Sequence, residues 1–184
     1  MPVLDSFKLT GRRALVTGGS RGLGLAMARA LAEAGAEVVI TGSNIAQLQK
    51  ACEELCSEDL HVTSIQADLS HPEEVERFSD FVLRNHGDFD ILINNVGGRR
   101  INTPTESLQL QDWQQIIDLN LTQAFILTQK IGGAMIPRQW GRIINIASIN
   151  AFWPGKAMRG RSYETAKAAL TMFTKAVAAD WAVH

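Results

Sequence analysis

The sequence predicts a doubly wound α/β domain, a parallel sheet of about five strands with helices on both faces. Three observations predict it. Short β-branched apolar runs alternate with longer stretches of helical period, from residue 13 to residue 181. The runs are apolar throughout, not at every second position, which marks strands covered on both faces. Each helical stretch is long enough to carry the chain back over the sheet, so successive strands run parallel through right-handed crossovers.

Arg13–Thr17 (RALVT) and Glu37–Thr41 (EVVIT) are the first two strands. Gly22–Ala34 between them is helical, with Gly35 placed to close it. Asn44 opens the second helix, Asn44–Leu55, as a side-chain cap. His61–Gln66 is the third strand, and Pro72 sits in the first turn of Pro72–Asn85, where a missing N–H costs nothing. Phe89–Asn94 gives strand four. One long helix is expected over Leu110–Met135, stopping before Pro137, with Gly141–Ala147 and then Ser148 as strand five and its end. Ser162–Trp181 is the last helix.

Composition bounds the function. The 184 residues carry 18 Lys+Arg against 19 Asp+Glu, a net charge of −1, and 46% are hydrophobic. That content excludes disorder, and the neutral balance excludes a nucleic-acid-binding arm. No stretch approaches the ~18 apolar residues of a membrane span. The opening MPVLDSFKLTGRR has no apolar run behind a basic one, so no secretory signal is read and the cytosol is expected. Cys52 and Cys56 are expected as small core side chains on one helix. His61, His71, His86 and His184 are dispersed without ligand spacing, so no metal site is expected. With no linker or low-complexity run, residues 1–184 read as a single domain.

Directly after strand one stands Thr17-Gly18-Gly19-Ser20-Arg21-Gly22-Leu23-Gly24, followed by a helix. Glycines there let the backbone turn sharply and approach a pyrophosphate, while the helix start offers free N–H groups and partial positive charge. In a strand–turn–helix–strand context this is read as a dinucleotide site, with Gly18, Ser20, Arg21, Gly22, Leu23 and Gly24 as candidate contacts, the alternative being a tight βα turn that holds no ligand. Tyr163 and Lys167 stand at i and i+4 on the last helix, and Tyr163 is the only tyrosine. An ammonium ~4 Å from a phenol, at an effective dielectric of ~20, favours the ionised phenol by about 4 kcal/mol. Ser148 falls at the carboxyl edge of the sheet, where a hydroxyl can donate to a substrate carbonyl. Asn120 lies inside the long helix, where an amide that competes for backbone groups either bends the helix and holds a water or faces solvent.

Gly18-x3-Gly22-x-Gly24, Asn94-Asn95-Val96-Gly97, Asn120, Ser148 and Tyr163-x3-Lys167 occur together and in this order. The set resembles the short-chain dehydrogenase/reductase family over essentially the whole chain from Gly11. The resemblance implies a Rossmann-like nicotinamide oxidoreductase that moves a hydride between cofactor and a small carbonyl or secondary alcohol. It implies that Ser148 polarises the carbonyl and that Tyr163 protonates its oxygen. Lys167 would bind the nicotinamide ribose and favour ionisation of the phenol, and Asn120 would hold a water linking Lys167 to solvent. Asp68 and Leu69 fall where the family touches the adenine, and Asn94 to Gly97 where it passes the adenosine ribose and steadies the sheet. Val96 stands where alanine is common. The Ser148–Tyr163 interval of 15 residues is a little longer than usual, the excess lying in residues 153–161.

An NAD enzyme usually ends its second strand on a carboxylate; here the stretch is Ile40-Thr41-Gly42-Ser43-Asn44, without an acid. Arg21 in the glycine turn and Ser43 favour NADP(H), with NAD(H) still possible. Arg99, Arg159 and Arg161 leave the carboxyl edge in two loops and are candidate contacts for a substrate carboxylate. Trp113–Asn120 resembles gluconate 5-dehydrogenases within the family, which implies an oxo sugar acid. A 3-oxoacyl-carrier-protein reductase is the second reading. Members of the family continue through a sixth strand, a substrate lid and a seventh strand. A chain ending at 184 is therefore expected to lack its last strands and lid and to expose strand five at Ile143, Ile144 and Ile146. A non-catalytic dinucleotide-binding or assembly module is thus a further alternative. The family forms dimers or tetramers, so a homo-oligomer is expected, with Leu121, Phe125 and Ile126 as interface or core. No nucleic-acid or membrane partner is expected.

Overall fold

The computed structural model describes residues 2–98, 101–155 and 161–184. Five strands form one parallel sheet in the order β3-β2-β1-β4-β5. They are β1 (Arg13–Thr17), β2 (Glu37–Gly42), β3 (Val62–Gln66), β4 (Ile91–Asn94) and β5 (Arg142–Asn145). The helices are α1 (Gly22–Glu33), α2 (Ile45–Cys56), α3 (Pro72–His86), α4 (Leu110–Ile117), α5 (Gln123–Leu127) and α6 (Ser162–Trp181). The strand order reverses between β1 and β4, which opens a crevice at the carboxyl end of β1.

Successive residues of β1 serve opposite faces. Ala14 and Val16 pack with Ala28 and Ala32 of α1 and Leu48, Ala51 and Leu55 of α2. Leu15 packs with Val75, Phe78 and Val82 of α3 and Ile126 and Leu127 of α5. All three strand residues are fully buried, which accounts for the unbroken apolar run in the sequence. Asn44 caps α2 by accepting from the Gln47 N–H at 2.9 Å, Pro72 stands in the first turn of α3, and Gly35 follows α1 at φ +96°. At the amino edge, the carboxylate of Asp90 accepts from the Arg13 N–H and pairs with Arg12 and Arg138, tying β1 and β4 to the end of the long helical region.

Four expectations are corrected. The helix expected over Leu110–Met135 is not uniform: π-helical turns at Asp118–Thr122 and Thr128–Gly132 interrupt it. It then runs on as a 3-10 turn, Gly133–Arg138, that takes in Pro137. The 3-10 turn accommodates proline because its tighter bonding ends the ladder that proline would break. β5 ends at Asn145, not Ala147, so Ser148 caps a short 3-10 turn (Ile149–Ala151) beyond the strand. Cys56 is exposed and Cys52 half-buried, at the rim of the core and not inside it. Ile126 is core, whereas Phe125 on the same helix is 44% exposed. Among the described residues β5 pairs with β4 alone, and its Ile144 is 47% exposed.

Candidate active site

The crevice at the switch point is a cleft of about 620 Å³. Gly18, Ser20, Arg21, Gly22, Leu23, Gly24, Ser43, Asp68, Leu69 and Gly97 all line it, as the sequence predicts for a dinucleotide site. Two glycines make the turn possible. Gly18 has φ +64°, and a Cβ on Gly24 would collide with the Gly18 carbonyl and stand 2.6 Å from Asn95 Nδ2. The absent side chains leave backbone, and the start of α1, facing the cleft. Such a cradle fits a pyrophosphate.

A buried threonine fixes the turn to the neighbouring strand. Thr17 Oγ1 donates to the Ile93 carbonyl at 3.2 Å and accepts from the Asn95 and Val96 N–H groups at 2.9 and 3.1 Å. Asn95 Nδ2 in turn donates to the carbonyls of Thr17 and Gly18 at 2.9 and 3.2 Å. Sequence reasoning missed Thr17, which looks there like any strand residue. It also missed Gln47, which lines the cleft one turn after the Asn44 cap. The capping pattern at Asn44 was the signal that this helix opens onto the cleft. Asn94 turns away from the cleft: its amide donates to Asn145 Oδ1 at 2.8 Å and Thr128 Oγ1 at 3.4 Å, which joins β4, β5 and the long helical region. Asp68 is shaped locally, its carboxylate accepting from the Ser70 N–H and hydroxyl at 3.1 and 2.6 Å.

Gly97 is the junction with the catalytic candidates. A Cβ there would stand 2.8 Å from Asn120 Oδ1 and 3.1 Å from Lys167 Nζ. Asn120 is fully buried in the first π-turn. Its Oδ1 accepts from the Gly98 N–H, and its Nδ2 donates to the Gly98 and Ile116 carbonyls, all at 2.9 Å. The amide takes the Ile116 carbonyl that an α-helical turn would leave to the Asn120 N–H, which explains the π-turn and excludes the solvent-facing alternative. Lys167, 3% exposed, donates to the Ile146 carbonyl at 2.7 Å. Burial pushes its ammonium down from 10.5 to about 8.

Tyr163 and Lys167 share one face of α6, with Tyr163 half-buried. Ser148 Oγ accepts from the Asn150 N–H at 3.2 Å, which leaves its own O–H to donate. Arg161, in the left-handed region at φ +31°, donates through Nη1 to the Gly155 carbonyl and the Glu164 carboxylate at 3.1 and 3.3 Å. Arg99 and Arg159 lie outside the described residues. Among the described residues no three His, Cys, Asp or Glu side chains gather to hold a metal, and no helix is long and apolar enough to cross a membrane.

A parallel sheet with a glycine cradle at its switch point, and Asn120 and Lys167 against the Gly97 end of that cleft, is the architecture of a dinucleotide-dependent oxidoreductase of CH–OH groups. The chain belongs to the short-chain dehydrogenase family, whose model matches residues 12–184. It is 38% identical over 182 residues to a gluconate 5-dehydrogenase of Gluconobacter oxydans, covering 98% of this chain and 69% of that protein. It is 38% identical over 180 residues to a 3-oxoacyl-[acyl-carrier-protein] reductase of Synechocystis, covering 95% and 70%. Among solved structures it resembles a gluconate 5-dehydrogenase from Burkholderia cenocepacia in complex with NADP and tartrate, with a TM-score of 0.86, 35% identity and coverage of 97% and 69%.

Proposed function

We propose that the chain carries the catalytic and cofactor sites of an NADP(H)-dependent oxidoreductase for an oxo sugar acid and its hydroxy counterpart. The observation that carries the reading is the Gly97 junction, where a Cβ on the cleft-lining loop would stand 2.8 Å from Asn120 Oδ1 and 3.1 Å from Lys167 Nζ. NADP(H), when bound, supplies the hydride that reduces the carbonyl carbon or accepts it in the reverse direction. Gly18, Ser20, Gly22, Leu23 and Gly24 would hold its pyrophosphate end, and Asp68 and Leu69 its adenine. Asn94 steadies the strand that carries the Asn95–Gly97 loop.

Ser148 donates its hydroxyl hydrogen to the substrate oxygen as negative charge grows on it, and Tyr163 delivers the proton from Oη. Lys167 holds positive charge beside the ribose position and, through the Gly97 junction, close to Asn120. NADP over NAD is supported by the cleft lining: no carboxylate closes β2, while Arg21 and Ser43 line the cleft and would meet a 2′-phosphate. Arg161 meets the substrate carboxylate with the part of its guanidinium not committed to Gly155 and Glu164; its side chain is 41% exposed. Residues 1–184 act as one domain, in the cytosol and as a homo-oligomer. The oligomer reading is supported by exposed Phe125 and Met172 on two helices joined by the Phe125–Phe173 ring contact.

One observation favours the second reading, a 3-oxoacyl reductase: Ile149, Phe152 and Trp153, just after Ser148, are 75%, 68% and 72% exposed, an apolar lip suited to an acyl chain. Initial rates with NADPH against 5-oxogluconate and against a 3-oxoacyl thioester separate the two. Turnover of the sugar acid, absent in Tyr163→Phe, supports the first; turnover of the thioester alone replaces it with the second.

A further inference from the structure

Away from the cleft, at the far edge of the sheet, α2 presents two thiols to one acceptor. Cys52 Sγ and Cys56 Sγ donate to the same Val62 carbonyl, at 3.5 and 3.3 Å. β3 is the outermost strand. Its ladder to β2 takes the His61 carbonyl for the Val38 N–H, so the Val62 carbonyl, one residue on, points to the open edge. The two thiols thus converge on an edge carbonyl that no strand pairs among the described residues. Cys56 is exposed and gives the entry, while Cys52 is half-buried behind it.

Two outcomes are open to a converging thiol pair, and helix geometry decides between them. Side chains at i and i+4 of a helix keep their Cβ atoms ~5 to 6 Å apart. A disulfide needs them at roughly 3.5 to 4.5 Å, so forming one would tear the last turn of α2. A single atom bound to both sulfurs spans the wider gap with the helix intact. Burial first, then Cys56 and Glu53, hold the Cys52 thiol above its ordinary range, against a lowering hydrogen bond from Ser64. Cys52 therefore meets a ligand with its thiol proton in place.

We propose that Cys52 and Cys56 form a two-thiol clamp for one soft, thiophilic atom that needs only two protein sulfurs, such as trivalent arsenic or a soft metal ion. With phenylarsine oxide the reaction is a condensation. Two As–S bonds form, the two thiol protons leave with the arsenic-bound oxygen as one water, and neither sulfur nor arsenic changes oxidation state. Gln47, the cleft-lining residue of α2 nearest the thiols, lies five residues before Cys52, about 7.5 Å along the helix. Clamping therefore leaves the dinucleotide site unchanged.

The test treats the folded chain with stoichiometric phenylarsine oxide and reads intact mass, free thiols and nucleotide binding. The expected result is one arsenical per chain, loss of both titratable thiols and reversal by ethanedithiol but not by a monothiol, with NADPH titration unaltered. Cys52→Ser and Cys56→Ser should each weaken retention by roughly a hundredfold or more, since the second bond is then no longer an intramolecular step. Either variant retaining the arsenical as well as the parent chain would overturn the clamp. Wild-type thiols that stay titratable after treatment, or a quantitative intrachain disulfide formed with α2 intact, would overturn it equally.

Discussion

The two halves of the candidate site are built from different materials. The dinucleotide side is made of backbone: a turn at Gly18–Gly24 from which side chains are absent, clamped by Thr17 and Asn95. The other side is made of side chains carried on helices, with Asn120 in a π-turn and Lys167 buried on α6, both against Gly97. The first half fails when volume is added; the second fails when a functional group is removed. Placement on the sheet follows the same division. The cradle grows from β1, whose Ala14, Leu15 and Val16 are completely buried, whereas Ser148 follows β5, an edge strand with Ile144 half open.

The largest expected effect is on the side-chain half. Tyr163→Phe removes one oxygen and the transferable proton, and turnover should fall by about 10²- to 10⁴-fold. NADPH binding should stay within a fewfold of the parent, measured by tryptophan fluorescence. A variant that loses binding and turnover together would erase the distinction between the halves.

Gly24→Ala probes the backbone half. The new Cβ strikes the Gly18 carbonyl, so the turn must open. We expect a stability loss of about 1 to 3 kcal/mol in urea, with loss of saturable dinucleotide binding. Unchanged binding would show that the turn has slack that the Cβ distances deny.

Lys167 gives a pH signature of similar size. The folded chain releases the Lys167 proton near pH 8, whereas the unfolded chain keeps it to about 10.5. Between those values the unfolded state binds more protons, so folding stability rises with pH. Below about pH 8 the full burial cost, about 3 kcal/mol, is present. Subtracting the pH profile of Lys167→Met from that of the parent chain should isolate this rise across the window from about pH 8 to 10.5. A flat difference would place Lys167 in contact with solvent.

The smallest effect separates the cofactors. Arg21→Ala should cost NADPH about 1.5 to 3 kcal/mol of binding while leaving NADH nearly untouched. Equal losses for both would move Arg21 from the 2′-phosphate to the shared pyrophosphate.

Legibility in the sequence follows from distance along the chain. The glycine turn and the Tyr163–Lys167 pair are each contained within a few residues, and the strand and helix order follows from periodicity alone. The Thr17–Asn95 clamp joins residues 78 apart, and nothing local to either residue announces it. Asn120 illustrates a partial reading: an amide in mid-helix signalled a bend, but its partner Gly98, 22 residues earlier, could be found only from the fold. Pro137 misled for a physical reason, since proline ends α-helices but is tolerated in the 3-10 turn that closes this one. Ser148 was expected on a strand that stops three residues earlier, because the apolar pattern runs past the last ladder residue into Ile146 and Ala147.

The central claim is that the cleft beside the glycine turn takes NADP(H) on a ready-made backbone cradle. Titration of the 184-residue chain with NADPH and then NADH, followed through its four tryptophans, tests it most directly. Saturable binding of both is expected, with NADPH tighter by roughly tenfold or more, as one charge-assisted contact to the extra phosphate provides. NADH binding as tightly as NADPH, or neither binding at all, would contradict it.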